Sequence, residues 1–185
     1  MKNLFLVLIL ITISVEGYSQ AKVLIVYDSK TGNTERMAEA VANGARSIDG
    51  VEVLKQKADV TSDDDLIRAD AFIVGSPVYN ANVTPEISRF IASWPFEDQP
   101  LKNKIGAAFV TAGGISAGEE IVQMNILQSM LIFGMIIVGG PDWTQPFGAS
   151  AITGEAPFEG KPSEQFLEKG YLLGERVAKL AVRMN

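Results

Sequence analysis

The chain has 185 residues, 47% of them hydrophobic and 21% charged, which gives enough apolar side chain for one packed domain and excludes a disordered polymer. Its formal net charge of −6 argues against nucleic acid as a partner and suits small molecules or basic proteins. There is no Cys and no His, which excludes Ser–His–Asp and Cys–His catalysis, thiolate zinc sites and cysteine-ligated iron–sulfur clusters. Difficult chemistry therefore falls to carboxylates, to a hard metal or to a bound organic cofactor.

In chain order, the first element is Met1–Gln20. One Lys precedes an apolar or hydroxyl run from Leu4 to Val15. That run is shorter than the roughly 20 residues needed to span a bilayer, and it matches the apolar region of a secretory signal peptide. Gly17 and Ser19 supply small residues at the positions a signal peptidase reads, which places cleavage before Gln20 and an extracytoplasmic address for residues 20–185. The alternatives are a buried N-terminal element and an uncleaved anchor.

The remainder alternates strand-like with helix-like segments. Lys22–Tyr27 reads as a strand and Thr34–Ile48 as a helix that buries Met37, Ala38, Val41, Ala45 and Ile48. Val51–Lys55 is an alternating second strand, and Ser62–Ala69 a short helix capped by Ser62. Ala71–Val74 is a buried third strand. Pro85–Trp94 is a helix that buries Ile87, Phe90, Ile91 and Trp94. Lys104–Val110, Glu119–Phe133 and Met135–Val138 read as strand, apolar helix and fifth strand. A long loop, Gly139–Pro162, leads to a last helix capped by Ser163, with Phe166, Gly170, Leu173, Val177 and Leu180 inward.

Such alternation predicts an α/β doubly wound three-layer sandwich, residues 20–185 forming one domain, with its ligand crevice at the carboxyl ends of the strands. Three loops leave strand ends there: Asp28–Asn33, Gly75–Thr84 and Thr111–Gly118, all rich in Gly, Ser, Thr, Asn or Pro. The first one, within YDSKTGNTERM, opens a helix, and a helix start offers free N–H groups and a positive dipole end to a phosphate. Neither G-x-x-x-x-G-K-[ST] nor G-x-G-x-x-G is present, so the loop suits one terminal phosphate rather than a pyrophosphate. The plainer reading is a helix start with a polar turn.

The stretch SKTGNTERMA resembles the FMN-phosphate loop of the flavodoxin superfamily, and GSPVY after the third strand resembles the segment bordering its flavin ring. The C-terminal GASAITG, PS and YLLGERVAKL are similar to the tryptophan-repressor-binding-protein-type NAD(P)H:quinone oxidoreductases. The resemblance implies a flavodoxin-like fold with a five-stranded parallel sheet in the order 2-1-3-4-5. It implies that Ser29, Lys30, Thr31, Gly32, Asn33 and Thr34 wrap the FMN phosphate. Pro77, Val78, Tyr79, Asn80 and Ala81 would line the ring, and Thr111, Ala112, Gly113, Gly114 and Ile115 would form a third wall. It implies no metal ligand and no catalytic side chain, because the cofactor carries the chemistry. NAD(P)H is the implied donor and a quinone the implied acceptor; a redox protein is the alternative partner, and a homo-oligomer is left open.

Two departures stand out. The family branch usually carries a histidine at the end of the fourth helix, beside the nicotinamide or quinone, where this chain has Ile132-Phe133, and the branch usually has a longer segment after the second strand than Gln56–Thr61. Other residues have plainer readings. Trp94 is expected in the core, and Asp63-Asp64-Asp65 is a charged first helical turn rather than a metal site. Tyr79 is expected against the flavin, with the closing of a turn as the alternative, while Trp143 either covers the active face or pins the long loop. A response-regulator receiver would need an Asp where Ser76-Pro77 stand, and Asn82-Val83-Thr84 is a glycosylation sequon in form only. Besides the oxidoreductase, the chain admits a flavodoxin-like electron carrier and a fold relative that has lost its flavin.

Overall fold

The computed structural model describes residues 20–185; the expected signal peptide lies outside them. Five helices flank a parallel sheet. Its first four strands are β1 (Ala21–Tyr27), β2 (Val51–Lys57), β3 (Ala71–Pro77) and β4 (Ile105–Ala112). Then come β5 (Ile136–Ile137) and β6 (Ala149–Ile152), and a separate antiparallel hairpin of β7 (Gly154–Glu155) and β8 (Phe158–Glu159). The helices are α1 (Asn33–Arg46), α2 (Asp63–Arg68), α3 (Pro85–Ala92), α4 (Glu119–Ile132) and α5 (Glu164–Met184). A 3₁₀ turn, Ala58–Val60, precedes α2.

The order β2-β1-β3-β4-β5 is the one expected. Strands β3 and β4 are buried along their whole length, which is why they read as unbroken apolar runs, whereas the edge strand β2 alternates. One core joins Val23, Ile25, Ile73 and Phe109 to α1 and α5. The other joins Leu24, Val26, Phe72 and Val74 to α3 and α4, with Trp94 edge-on to Phe72, Phe90 and Phe133. Trp94 is thus a core residue, as its spacing predicts.

The sheet departs from expectation at its far edge. Instead of Met135–Val138, only Ile136–Ile137 pairs with β4, against Ile105 and Gly106. The chain then leaves the sheet and returns as β6, which pairs in parallel with Phe109–Ala112. The segment expected to be loop from Gly139 to Pro162 therefore holds three short strands. The excursion between β5 and β6 is tied to α5, since Arg176 donates to the carbonyls of Gly139 and Gly140 and Lys169 to that of Thr144. Ala149 and Ala151 are fully buried under α5, and their small side chains give no apolar run for sequence reasoning to detect.

Candidate functional site

The first loop leaves β1 at Asp28, whose N–H donates to the Gly75 carbonyl (3.2 Å). Ser29 turns its hydroxyl inward and accepts the Gly32 N–H (3.1 Å). Gly32 is the residue before α1 and sits at φ +88°, a left-handed conformation that a side chain would strain. No side chain caps α1, and nothing lies within 4 Å of the place a Cβ on Gly32 would occupy. The first-turn N–H groups of Asn33, Thr34 and Glu35 thus have no carbonyl behind them and no capping side chain in front.

The second loop begins where Val78 donates to the Thr111 carbonyl (2.8 Å). Tyr79 and Asn82 exchange backbone hydrogen bonds (3.1 and 3.0 Å), with Asn80 and Ala81 between them at φ +52° and +57°. Two positive φ angles make this the tight turn that glycine or asparagine usually fills, so Ala81 is held there at a cost of about 1 kcal/mol. Gly118 lies against it, where a Cβ would come within 2.6 Å of the Ala81 Cβ. The start of α4 therefore packs directly on the second loop. The Lys30 ammonium lies 5.4 Å from the centroid of the half-exposed Tyr79 ring, which brings the first loop to the second.

In the third loop, Gly113 is open on its Cβ side and Ile115 is exposed. Thr111 is buried, and its hydroxyl lies 2.7 Å from that of Thr34. This bond fastens the start of α1 to the end of β4.

All three predicted clusters meet at one sheet edge, but their side chains are not equally free. Lys30, Thr31, Tyr79, Asn80, Gly113 and Ile115 are exposed, and Gly32, Asn33, Val78, Ala81 and Gly114 half-buried. Pro77, Thr34, Thr111 and Ala112 are buried and serve as the frame. The Ser29 hydroxyl accepts from the Gly32 N–H and keeps its own O–H to donate, while the Thr34 hydroxyl pairs with that of Thr111. Beneath the first loop, the Tyr27 hydroxyl donates to Glu35 (2.9 Å), and burial, then that carboxylate, push its pKa up to about 12. The Glu86 carboxyl, at the start of α3, is held below the usual range chiefly by its own backbone N–H, with Lys30 and Arg89 adding to the effect. One Asp28 carboxylate oxygen is shut from solvent with no hydrogen-bond partner.

Sequence reasoning missed a fourth wall. The β7–β8 hairpin follows Thr153, which donates to the Ala112 carbonyl (2.9 Å), and it ends at Gly160, whose carbonyl accepts from the Asn33 side chain (3.0 Å). Between them the Glu155 carboxylate accepts the Ile115 N–H (2.7 Å). The hairpin spans the first and third loops. The expected substrate-facing position behaves differently: Ile132-Phe133 ends α4, roughly 20 Å of helix away from Gly118 at 1.5 Å per residue. Phe133 packs edge-on to Trp94 and Phe96 and does not border the crevice. Trp143 stands 87% exposed on the β5–β6 excursion. A groove of about 710 Å³ between α1 and α5, with Arg36, Lys161 and Tyr171 in its walls, contains none of the predicted residues.

A family model described as NADPH-dependent FMN reductase matches residues 53–150, more than half of the chain and inclusive of the second and third loops. The chain belongs to the NADPH-dependent FMN reductase family. A flavodoxin of Aquifex aeolicus is 36% identical over 85% of each chain. An NAD(P)H dehydrogenase (quinone) of Azorhizobium caulinodans is 33% identical over 89% of this chain and 98% of its own. Among solved structures, a flavodoxin, WrbA-like protein from Agrobacterium tumefaciens superposes with a TM-score of 0.75 at 24% identity, covering 89% of this chain and 99% of that one. The flavodoxin-like fold of this FMN reductase family member is thus shared along its described length.

The site's own features fit such a cofactor. A phosphate finds the uncapped start of α1 with Lys30 beside it, and a flat ring finds the Tyr79 face and the open backbone of Gly113. No group of three or more His, Cys, Asp or Glu placed to hold a metal occurs among the described residues.

Proposed function

We propose that this chain is an FMN-binding oxidoreductase that takes electrons from NAD(P)H and passes them to a quinone-like acceptor. The observation that carries the reading is the uncapped, unobstructed start of α1, fastened by Thr34–Thr111 and faced by the Lys30–Tyr79 pair, in a chain of the NADPH-dependent FMN reductase family. FMN when bound supplies the hydride chemistry. The protein's part is to bind and orient. In this reading the N–H groups of residues 33–35 and the Lys30 charge hold the phosphate, while Pro77–Ala81 and Thr111–Ile115 set the plane of the ring. No side chain acts as acid or base. The quinone acceptor is supported by relatives named NAD(P)H dehydrogenase (quinone), the Azorhizobium protein among them.

The flavodoxin-like electron carrier is the second reading, favoured by the 36% identity to the Aquifex flavodoxin. In that case the net charge of −6 would guide docking onto a basic redox protein. One experiment separates the readings: a visible spectrum of residues 20–185 with added FMN, then anaerobic NADH and a quinone. Flavin bands bleached by NADH and restored by quinone are the expected result. Flavin that stays yellow would favour the carrier, and no flavin uptake would refute both.

We also propose that the chain is exported and cut before Gln20, on the strength of the apolar run Leu4–Val15. Among the described residues no helix is long and apolar enough to cross a membrane. The mass of the protein recovered from the producing cell, with Gln20 first or Met1 first, decides it.

A further inference from the structure

The Glu155 carboxylate occupies a backbone donor of the third loop. Its Oε2 takes the Ile115 N–H at 2.7 Å, and a Cβ built on Gly114 would meet the same oxygen at 2.9 Å. The carboxylate therefore lies within contact distance of Gly114 as well, along the third loop. A bond from a backbone N–H to an ionised carboxylate is among the stronger kinds. The hairpin that carries Glu155 is itself held at Ala112, at Asn33 and, through Phe158, edge-on to the Phe166 ring (5.0 Å) of α5. Glu155 is thus presented by a braced element, not by a free loop end.

We propose that Glu155 is a positioning residue of the flavin site, fixing the third loop through Ile115 and placing a negative charge beside the ring, so that bound FMN is harder to reduce. The inference rests on the FMN site of the reading above, not on its electron donor. Its physics is simple. Reduction adds electron density to the ring, and a neighbouring carboxylate raises the cost of the reduced form relative to the oxidised one. The Ile115 N–H, already committed to Glu155, is withheld from that density. Glu155 is exposed, so water screens its charge and the effect is modest.

The test is the midpoint potential of bound FMN in the wild-type chain and in three variants, with the affinity for oxidised FMN measured alongside. Glu155→Gln keeps an acceptor for Ile115 and removes the charge. Oxidised FMN should bind within about twofold of wild type, and the reduced form about fivefold tighter, a rise of about 20 mV for a two-electron couple. Glu159→Gln removes the same charge from the same hairpin, away from Ile115, and should leave the potential unchanged. Glu155→Ala frees the third loop and should weaken oxidised FMN about fivefold. An unchanged potential in Glu155→Gln, or an equal rise in Glu159→Gln, would overturn the proposal. A wild-type chain that binds FMN but ignores NADH would refute the dehydrogenase reading and leave this one standing; a chain that binds no FMN would refute both.

Discussion

The starts of α1 and α2 are built from similar residues and put to opposite uses. Before α2, Ser62 accepts the Asp65 N–H while the Asp65 carboxylate takes the Ser62 N–H (3.0 Å) and hydroxyl (2.7 Å), a reciprocal box that closes the helix end. Before α1, the residue in the capping position is Gly32, the nearby Ser29 hydroxyl bonds outside the helix proper, and Thr34 turns away to Thr111. One helix satisfies its own donors. The other spends its hydroxyls on the frame and leaves its donors open, which is what an anion site requires. A count of Ser and Thr does not separate the two; where the hydroxyls go does.

The comparison breaks most visibly if the open end is filled. Thr31→Glu brings a carboxylate to the start of α1. FMN affinity should fall about 100-fold by fluorescence titration, about 2.7 kcal/mol, while thermal stability of the ligand-free chain holds or rises by up to ~1 kcal/mol, because an acid there suits the helix dipole. A parallel loss of stability would mean that the loop is ordinary structure. Next in size is the frame. Thr34→Val leaves the buried Thr111 hydroxyl unpartnered and should cost about 1–3 kcal/mol in urea unfolding. The double variant Thr34→Val/Thr111→Val should cost less than the sum of the two singles.

The closed end gives a smaller and purely structural effect. Ser62→Ala should lower stability by about 1 kcal/mol and leave FMN affinity untouched. The box also has a pH signature. The Asp65 carboxyl is held below its ordinary value of 3.8, first by the Ser62 N–H, then by the Ser62 hydroxyl and Gln56. Its contribution is complete above that value and lost as pH falls through the lower folded one. Asp65→Asn should therefore flatten the loss of stability below about pH 4 in acid-unfolding curves. The smallest effect belongs to Trp143→Ala, expected within about 0.5 kcal/mol of wild type because the ring is almost wholly exposed and buries little surface.

Most of the frame was legible in the sequence because it rests on local patterns. The apolar runs of β1, β3 and β4, the hydroxyl-rich loops and the Ser62 cap are all signals within a few residues, whereas the Ser163 hydroxyl, expected to cap α5, makes no capping hydrogen bond. What escaped rests on distance. The Thr34–Thr111 bond joins residues 77 apart, and the Glu155–Ile115 bond residues 40 apart. Strand β6 escaped because Ala149-Ser150-Ala151 has no apolar bulk; it is a strand only because the outer edge of β4 offers it partners. The place of Ile132-Phe133 at the far end of α4 follows from the run of the helix and not from any motif.

The most direct test of the account is a calorimetric comparison of FMN with riboflavin, which lacks only the phosphate, on residues 20–185. If the open start of α1 is the phosphate site, FMN should bind at least about 100-fold tighter, about 2.7 kcal/mol. Equal affinities would contradict the account and make α1 a helix that merely goes uncapped.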